Sequence, residues 1–439
     1  MVSAWKRALP LLAAIWTTMG APAARAQAGV TDEPPSALAP TGMVHEQSRA
    51  EALAQDASAV AALLGIDVPE AKRRLVLQEA SVSVTEALAQ RWQDRLAGMA
   101  FEQEPDFHLL VVVTGPQPVA DEEIRIGNLV LPVRYRSGAL ATRTAMLAAL
   151  TDRREAMLAA LGRPAGLGLD QRRGMLVAVV PGALARDPVV RERVGAVAGV
   201  PVLLRASDDA DADMSDAAPG SAVEGGARVT GLNPVDGHRY ACTTGFAVTD
   251  GTREGVVTAA HCPDSLSYLD TADRTAVPLT MVGQWGWGYQ DVQVHTAPVT
   301  FRPLFFSDTG KTVARPVTAA RTRAATRAGE LVCHRGERTG YSCAAVELTD
   351  FAPAGDLCGG ACLPTWVTVG APTCKGGDSG APVFAGTTAF GIVKGGTYRP
   401  DGSCSFYFYM SVDYLPAGWT LLRAGGGGGE GVGELLSEK

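Results

Sequence analysis

Three short segments carry side chains that could act together in catalysis. They are Thr258-Ala259-Ala260-His261-Cys262, Tyr289-Gln290-Asp291-Val292-Gln293 and Lys375-Gly376-Gly377-Asp378-Ser379-Gly380-Ala381-Pro382. Together they offer a base, an orienting carboxylate and a hydroxyl. A serine hydroxyl is a poor nucleophile at neutral pH and needs a base to take its proton as it attacks. Histidine suits that role because its ordinary pKa lies near neutrality. A buried carboxylate would fix the imidazole tautomer and stabilise the imidazolium that forms. The developing oxyanion needs N–H donors fixed in place, and glycines beside the serine let the backbone converge on it. Gly377 and Ser379 are the expected donors.

The elements that must carry these segments read as short strands. GFAVTD (245–250), GVVTAA (255–260), DVQVHTA (291–297), LVCHRG (331–336), WVTVG (366–370), APVFAG (381–386), AFGIVKGG (389–396) and SFYFYMSV (405–412) are apolar runs bounded by turns. Such a pattern predicts an all-β sandwich or barrel over residues 223–422.

The preceding region differs. Leu53, Ala57, Val60 and Leu64 recur at helical spacing and stop at Gly65; 70–96 and 142–161 continue in that spacing. FHLLVVVT (107–114) and MLVAVV (175–180) read as strands, followed by a helix over 187–197 and a strand over 200–204. Residues 27–205 therefore predict an α/β region. His45 and His108 stand alone there, without a nucleophile. Residues 206–222 include an acidic run, Ser207 to Asp216, that cannot bury a core. It is expected to be an exposed, flexible, cleavable linker. Residues 423–439 form a glycine-rich tail, expected to be flexible.

All eight cysteines lie between Cys242 and Cys404. In an oxidising compartment an even number predicts four disulfides, for which about 105 pairings are possible. A zinc site would need matched C-x2-C pairs, and Cys358-x3-Cys362 with Cys374 nearby does not supply them. No metal or cofactor is expected. Lys6, Arg7, the apolar stretch from Ala8 to Trp16 and Ala24-Arg25-Ala26 read as a secretory signal over 1–26. Export, to the exterior or a periplasm, is the expectation. No run of 18 apolar residues follows the first thirty, so no membrane span is expected. At 439 residues the chain is too long for one ordinary core. Its net charge of −7 argues against nucleic acid as the main partner, since phosphate binding needs a clustered basic surface.

AAHC at 259–262 and GDSGAP at 377–382, in the chain order His, Asp, Ser, resemble the chymotrypsin-like serine peptidases. The α/β-hydrolase elbow G-x-S-x-G fails, because Ala381 holds its last position. Finer features resemble the bacterial branch that includes α-lytic protease and the streptogrisins. These are Cys242-Thr-Thr-Gly-Phe246 before AAHC, the Cys333–Cys343 segment CHRGERTGYSC, and GIVKGG at 391–396. RRLVLQEA (73–80) and RLAGMAFEQEPDF (95–107) are similar to that branch's prosegment.

The resemblance implies two six-stranded antiparallel β-barrels after an α/β prosegment that aids folding and inhibits. It implies Ser379 as nucleophile, His261 as general acid and base, and Asp291 as the orienting carboxylate, with Asp308 as second candidate. It implies disulfides Cys242–Cys262, Cys333–Cys343 and Cys374–Cys404, which leaves Cys358 and Cys362 to each other. It implies Lys394, Gly395 and Gly396 as the substrate-binding strand.

Three positions depart from that branch's pattern. His334 replaces the arginine expected to pair with Asp378, with Arg335 next, and either could serve. Lys394 replaces a serine that bonds the triad carboxylate; its cation could pair with Asp291 or turn toward the cleft. Ala381 replaces a glycine. Ala371-Pro372-Thr373-Cys374 lacks an acid for binding Arg or Lys, so small or medium apolar P1 residues are expected, with Lys375 and Lys394 leaving an acidic preference open. The whole reads as a secreted serine endopeptidase acting on peptides and made as a proenzyme. The alternative is a secreted binding protein that keeps the fold without turnover.

Overall fold

The computed structural model describes residues 44–207, 210–213, 223–269, 276–370 and 372–425. The expected signal segment and the end of the glycine tail lie outside the described residues. Among the described residues no single helix is long and apolar enough to cross a membrane.

The first helix, Arg49–Leu64, starts at a capping box of Ser48 and Glu51 and stops at Gly65, whose φ of +66° suits only glycine well. The long helical stretch expected over 70–96 is two helices, Val68–Ala80 and Val82–Arg91, and then the strand Leu96–Glu102. Six of that strand's seven residues are buried, so it shows no alternation to distinguish it from a helix. Likewise 142–161 divides into Arg143–Asp152 and Arg154–Leu161.

One sheet of the N-terminal half runs Leu96–Glu102, His108–Thr114, Leu129–Ala139, Glu122–Ile126. A second joins Gly166–Asp170, Met175–Val180 and Val202–Ala206, and its outer strand is Thr349–Ala352 from the C-terminal half. Gly166 and Gly168 allow this. A Cβ on them would lie 2.9 and 3.1 Å from the Phe351 ring.

In the C-terminal half, strands Leu331–Gly336, Gly340–Val346, Val367–Gly370, Cys404–Ser411, Thr388–Tyr398 and Pro382–Ala385 pair in a closed ring of six. Val223–Gly225, Phe301–Phe306 and Val313–Pro316 join His45–Glu46 in a four-stranded sheet, and most of the remaining strands of this half form two more. One is Arg239–Thr243, Arg228–Leu232, Leu266–Leu269, Ala276–Pro278; the other is Thr280–Trp285, Val292–Thr296, Glu254–Thr258, Ala247–Thr249, Thr420–Leu421. They enclose a core of Val229, Cys242, Ala247, Val256 and Tyr268. Their hydrogen-bonded pairing closes no ring among the described residues, so one six-stranded barrel is seen where two were expected.

Of the expected linker, 208–209 and 214–222 lie outside the described residues. Ala210–Asp213 is a strand, paired antiparallel with Gly395–Tyr398. The halves also meet through buried polar contacts. Asp56 Oδ1 accepts from Arg315 at 2.9 Å and from the Tyr341 hydroxyl at 2.7 Å, and Asp56 Oδ2 accepts from the Gly386 N–H at 2.6 Å. Gln78 donates to the Leu331 carbonyl and accepts from its N–H.

Candidate active site

Strands Glu254–Thr258 and Val292–Thr296 are antiparallel neighbours, with Thr258 opposite Gln293. That register puts the turn after Thr258 beside the residue before Val292. His261 and Asp291 therefore meet: His261 Nδ1 lies 2.8 Å from Asp291 Oδ2, and the His261 backbone N–H donates to Oδ1 at 3.1 Å. Gln293 secures the turn by donating to the Ala259 and Cys262 carbonyls at 2.8 and 3.1 Å. Asp308, the other candidate, is used elsewhere. It caps its own turn, accepting from Thr312 and Val313.

Ser379 comes from the turn that leads into Pro382–Ala385. Its Oγ lies 2.7 Å from His261 Nε2 and 3.2 Å from the Lys394 carbonyl. The turn is held on two sides. The Ser379 carbonyl accepts from the Thr243 N–H, and the Gly377 carbonyl from the Thr243 hydroxyl, each at 2.7 Å; the Gly380 N–H donates to the Val393 carbonyl. Gly377 has a φ of +106°, a conformation that excludes most side chains.

The partner of Asp378 is a correction. Among the described residues, neither His334 nor Arg335 hydrogen-bonds or ion-pairs with it. Asp378 instead accepts the Thr339 hydroxyl at 2.7 Å and the N–H groups of Arg338, Thr339 and Lys375. Burial pushes its carboxyl upward, and these hydrogen bonds oppose the rise. His334 donates to or accepts from Thr339 and Ser342, and burial, with Arg335 beside it, pushes its imidazole down to about 4. Arg335 binds Glu337 and the Gly226 carbonyl.

Lys394 lies behind the carboxylate, not in the cleft. Its Nζ is 3.4 Å from Asp291 Oδ2, and both side chains are buried. Burial alone would push Asp291 up, but His261 and Lys394 hold it well below the usual carboxylate range. Gly395 and Gly396 follow, in the strand that carries the 210–213 segment. A Cβ on Gly396 would lie 2.8 Å from Cys374 Sγ. The cysteines pair as Cys242–Cys262, Cys333–Cys343, Cys358–Cys362 and Cys374–Cys404.

Gln293, Thr243 and Thr339 were not singled out from the sequence. Gln293 left one signal, a polar residue in a strand flanked by valines and buried on both faces.

No family model matches the chain. Streptogrisin-C of Streptomyces griseus is 31% identical over 191 residues, 42% of this chain and 39% of that protein. The chain resembles the bacterial chymotrypsin-like serine proteases. It spans about two fifths of the length of that curated relative. Thermobifida fusca protease A is 23% identical, with 46% of this chain and 100% of that one covered and a TM-score of 0.37. A Nocardiopsis protease is 22% identical over 46% and 99%, also with a TM-score of 0.37.

Proposed function

We propose that this protein is a secreted serine endopeptidase, made as a proenzyme, in which Ser379, His261 and Asp291 form the catalytic triad. The observation that carries the reading is the continuous chain from Asp291 Oδ2 through the His261 ring to Ser379 Oγ, with links of 2.8 and 2.7 Å. His261 Nε2 takes the Ser379 proton as Oγ attacks the peptide carbonyl. Asp291 keeps the other ring nitrogen protonated and steadies the imidazolium. The Gly377 and Ser379 N–H groups receive the oxyanion. His261 returns the proton to the leaving amine, and water then hydrolyses the acyl-enzyme by the same route.

Two further features support the proenzyme reading. Ala210–Asp213 pairs along Gly395–Tyr398, the backbone a peptide substrate would add to. Residues of the 27–205 region also bury Asp56 and Gln78 against the C-terminal half. A fold rich in long-range strand pairs is slow to form, and a bound template would assist it. We assign the substrate-binding strand to Lys394, Gly395 and Gly396, and the P1 preference to small or medium apolar residues. The burial of the Lys394 ammonium against Asp291 removes one reason to expect an acidic P1. The two-barrel architecture and export belong to the same proposal; four disulfides fit an oxidising compartment.

The test is a fluorophosphonate probe applied to the secreted protein, with peptide mapping and a casein digest. Label on Ser379 with casein hydrolysis is expected. Correctly folded protein that takes no label and cleaves nothing would overturn the reading in favour of a non-catalytic binding protein.

A further inference from the structure

We propose that Lys394 is a positioning residue that shares Asp291 with His261 and so moves the acid limb of the pH–rate profile to lower pH. The inference rests on the peptidase reading above. Lys394 Nζ and His261 Nδ1 contact the same carboxylate oxygen, Asp291 Oδ2, at 3.4 and 2.8 Å. The Lys394 and Asp291 side chains are 1% and 2% exposed, so solvent screens the pair little. The Trp366 ring closes another side, with its centroid 5.5 Å from Nζ.

Among the described residues the charged groups that face Asp291 are the His261 imidazole and the Lys394 ammonium. The strand Cys404–Ser411 presents Met410, whose sulfur accepts the Asp291 N–H at 3.3 Å. Neither Met410 nor Trp366 titrates. Among the described residues the contest for Asp291 is between one ring and one ammonium.

A buried carboxylate with a single partner spends its field on the imidazole and favours the imidazolium. A cation on the same oxygen cancels part of that field. The imidazolium is then harder to form, whether the proton comes from solvent or from Ser379. His261 stays neutral, and usable as a base, to lower pH. The same cation keeps Asp291 ionised in acid. The cost is a smaller contribution from Asp291 once the imidazolium forms, and hence a lower plateau rate. A lysine serving only to fill space would move neither the limb nor the plateau in this paired way.

The experiment is the pH dependence of kcat/KM on an apolar peptide substrate, for the secreted protein and for Lys394→Met and Lys394→Arg. Fluorophosphonate labelling of Ser379 counts the active sites in each. Lys394→Met is expected to raise the acid-limb midpoint of the wild-type protein by about one unit and to raise the plateau, while Lys394→Arg keeps the wild-type midpoint. An identical midpoint in the wild-type and methionine proteins overturns the inference. Should the methionine variant fail to fold, Lys394→Gln, which also removes the charge, makes the same comparison and decides. A wild-type protein that neither labels nor cleaves is a different result: it refutes the peptidase reading, and the inference falls with it.

Discussion

Ala212 stands opposite Gly396 in antiparallel register. The segment before the C-terminal half thus occupies the strand whose Lys394 carbonyl accepts the Ser379 hydroxyl. On the proposed function a peptide substrate would need the same backbone groups, and segment and substrate would then exclude each other.

If the chain is made as the proposed proenzyme, that relationship predicts the place of the cut. The paired segment ends at Asp213, Met214 is the next residue, and Val223 is already buried in the strand Val223–Gly225. The new N-terminus is expected between Ser215 and Val223, with Ser215 first because Met214 would supply an apolar P1. Intact-mass analysis of the secreted protein checks this. Met214→Asp should slow processing, and Ser379→Ala should leave the full chain uncut. Normal processing of the Ser379→Ala protein would show that another peptidase makes the cut.

Asp291→Asn should lower kcat by about 10⁴-fold, because the amide can hold the His261 ring in the wrong tautomer. KM should change little, since Asp291 is 2% exposed and does not face the cleft. Steady-state kinetics on a peptide ester and a peptide amide separate these effects. A variant that loses binding and keeps turnover would contradict the assignment.

Glu337 predicts a pH-dependent stability. Burial would push its carboxyl up, but Arg335, Lys311 and Arg228 hold it down to about 2. The folded value is depressed, so its stabilisation is full above the ordinary value of 4.5 and is lost as pH falls toward about 2. Glu337→Gln leaves three cations without their carboxylate and should cost about 3 kcal/mol or more at neutral pH. Thermal unfolding at one scan rate, at pH values near 7 and near 2, is the measurement. An equal deficit at both would refute the linkage.

Asp56→Ala in the full-length chain should lower the yield of active protein. The Arg315–Asp56 pair is 0% and 1% exposed, and removing one partner strands a buried guanidinium. A loss of about 3 kcal/mol or more from this contact would weaken the hold of the N-terminal half by over about a hundredfold. Labelling of Ser379 after refolding counts the active molecules. An unchanged yield would mean the contact does not contribute to folding.

The sequence was legible where local chemistry carried the information. Gly377-Asp378-Ser379-Gly380 announced a tight turn, and the strand expected over 331–336 spans those residues in the structure. Features set by distant pairing were not legible. No local pattern could show that Thr349–Ala352 joins a strand nearly two hundred residues earlier, or that Ala210–Asp213 finds Gly395–Tyr398. The direction of the Lys394 side chain was open for the same reason. A strand alternates its faces, but which face meets Asp291 depends on the partner strand. Asp378 misled because a buried carboxylate invites a cation, and here backbone N–H groups and a threonine hydroxyl serve instead.

The bare-backbone seat that Gly166 and Gly168 make for Phe351 has a consequence if the proposed cut is made. Detaching the N-terminal half would uncover the Thr349–Ala352 strand edge and one flank of an aromatic ring in a single stroke. Unpaired edges beside apolar surface are where identical chains stick together. The freed protein would therefore be most prone to self-association at the moment of its release, and its colloidal behaviour would depend on how quickly that edge is sheltered.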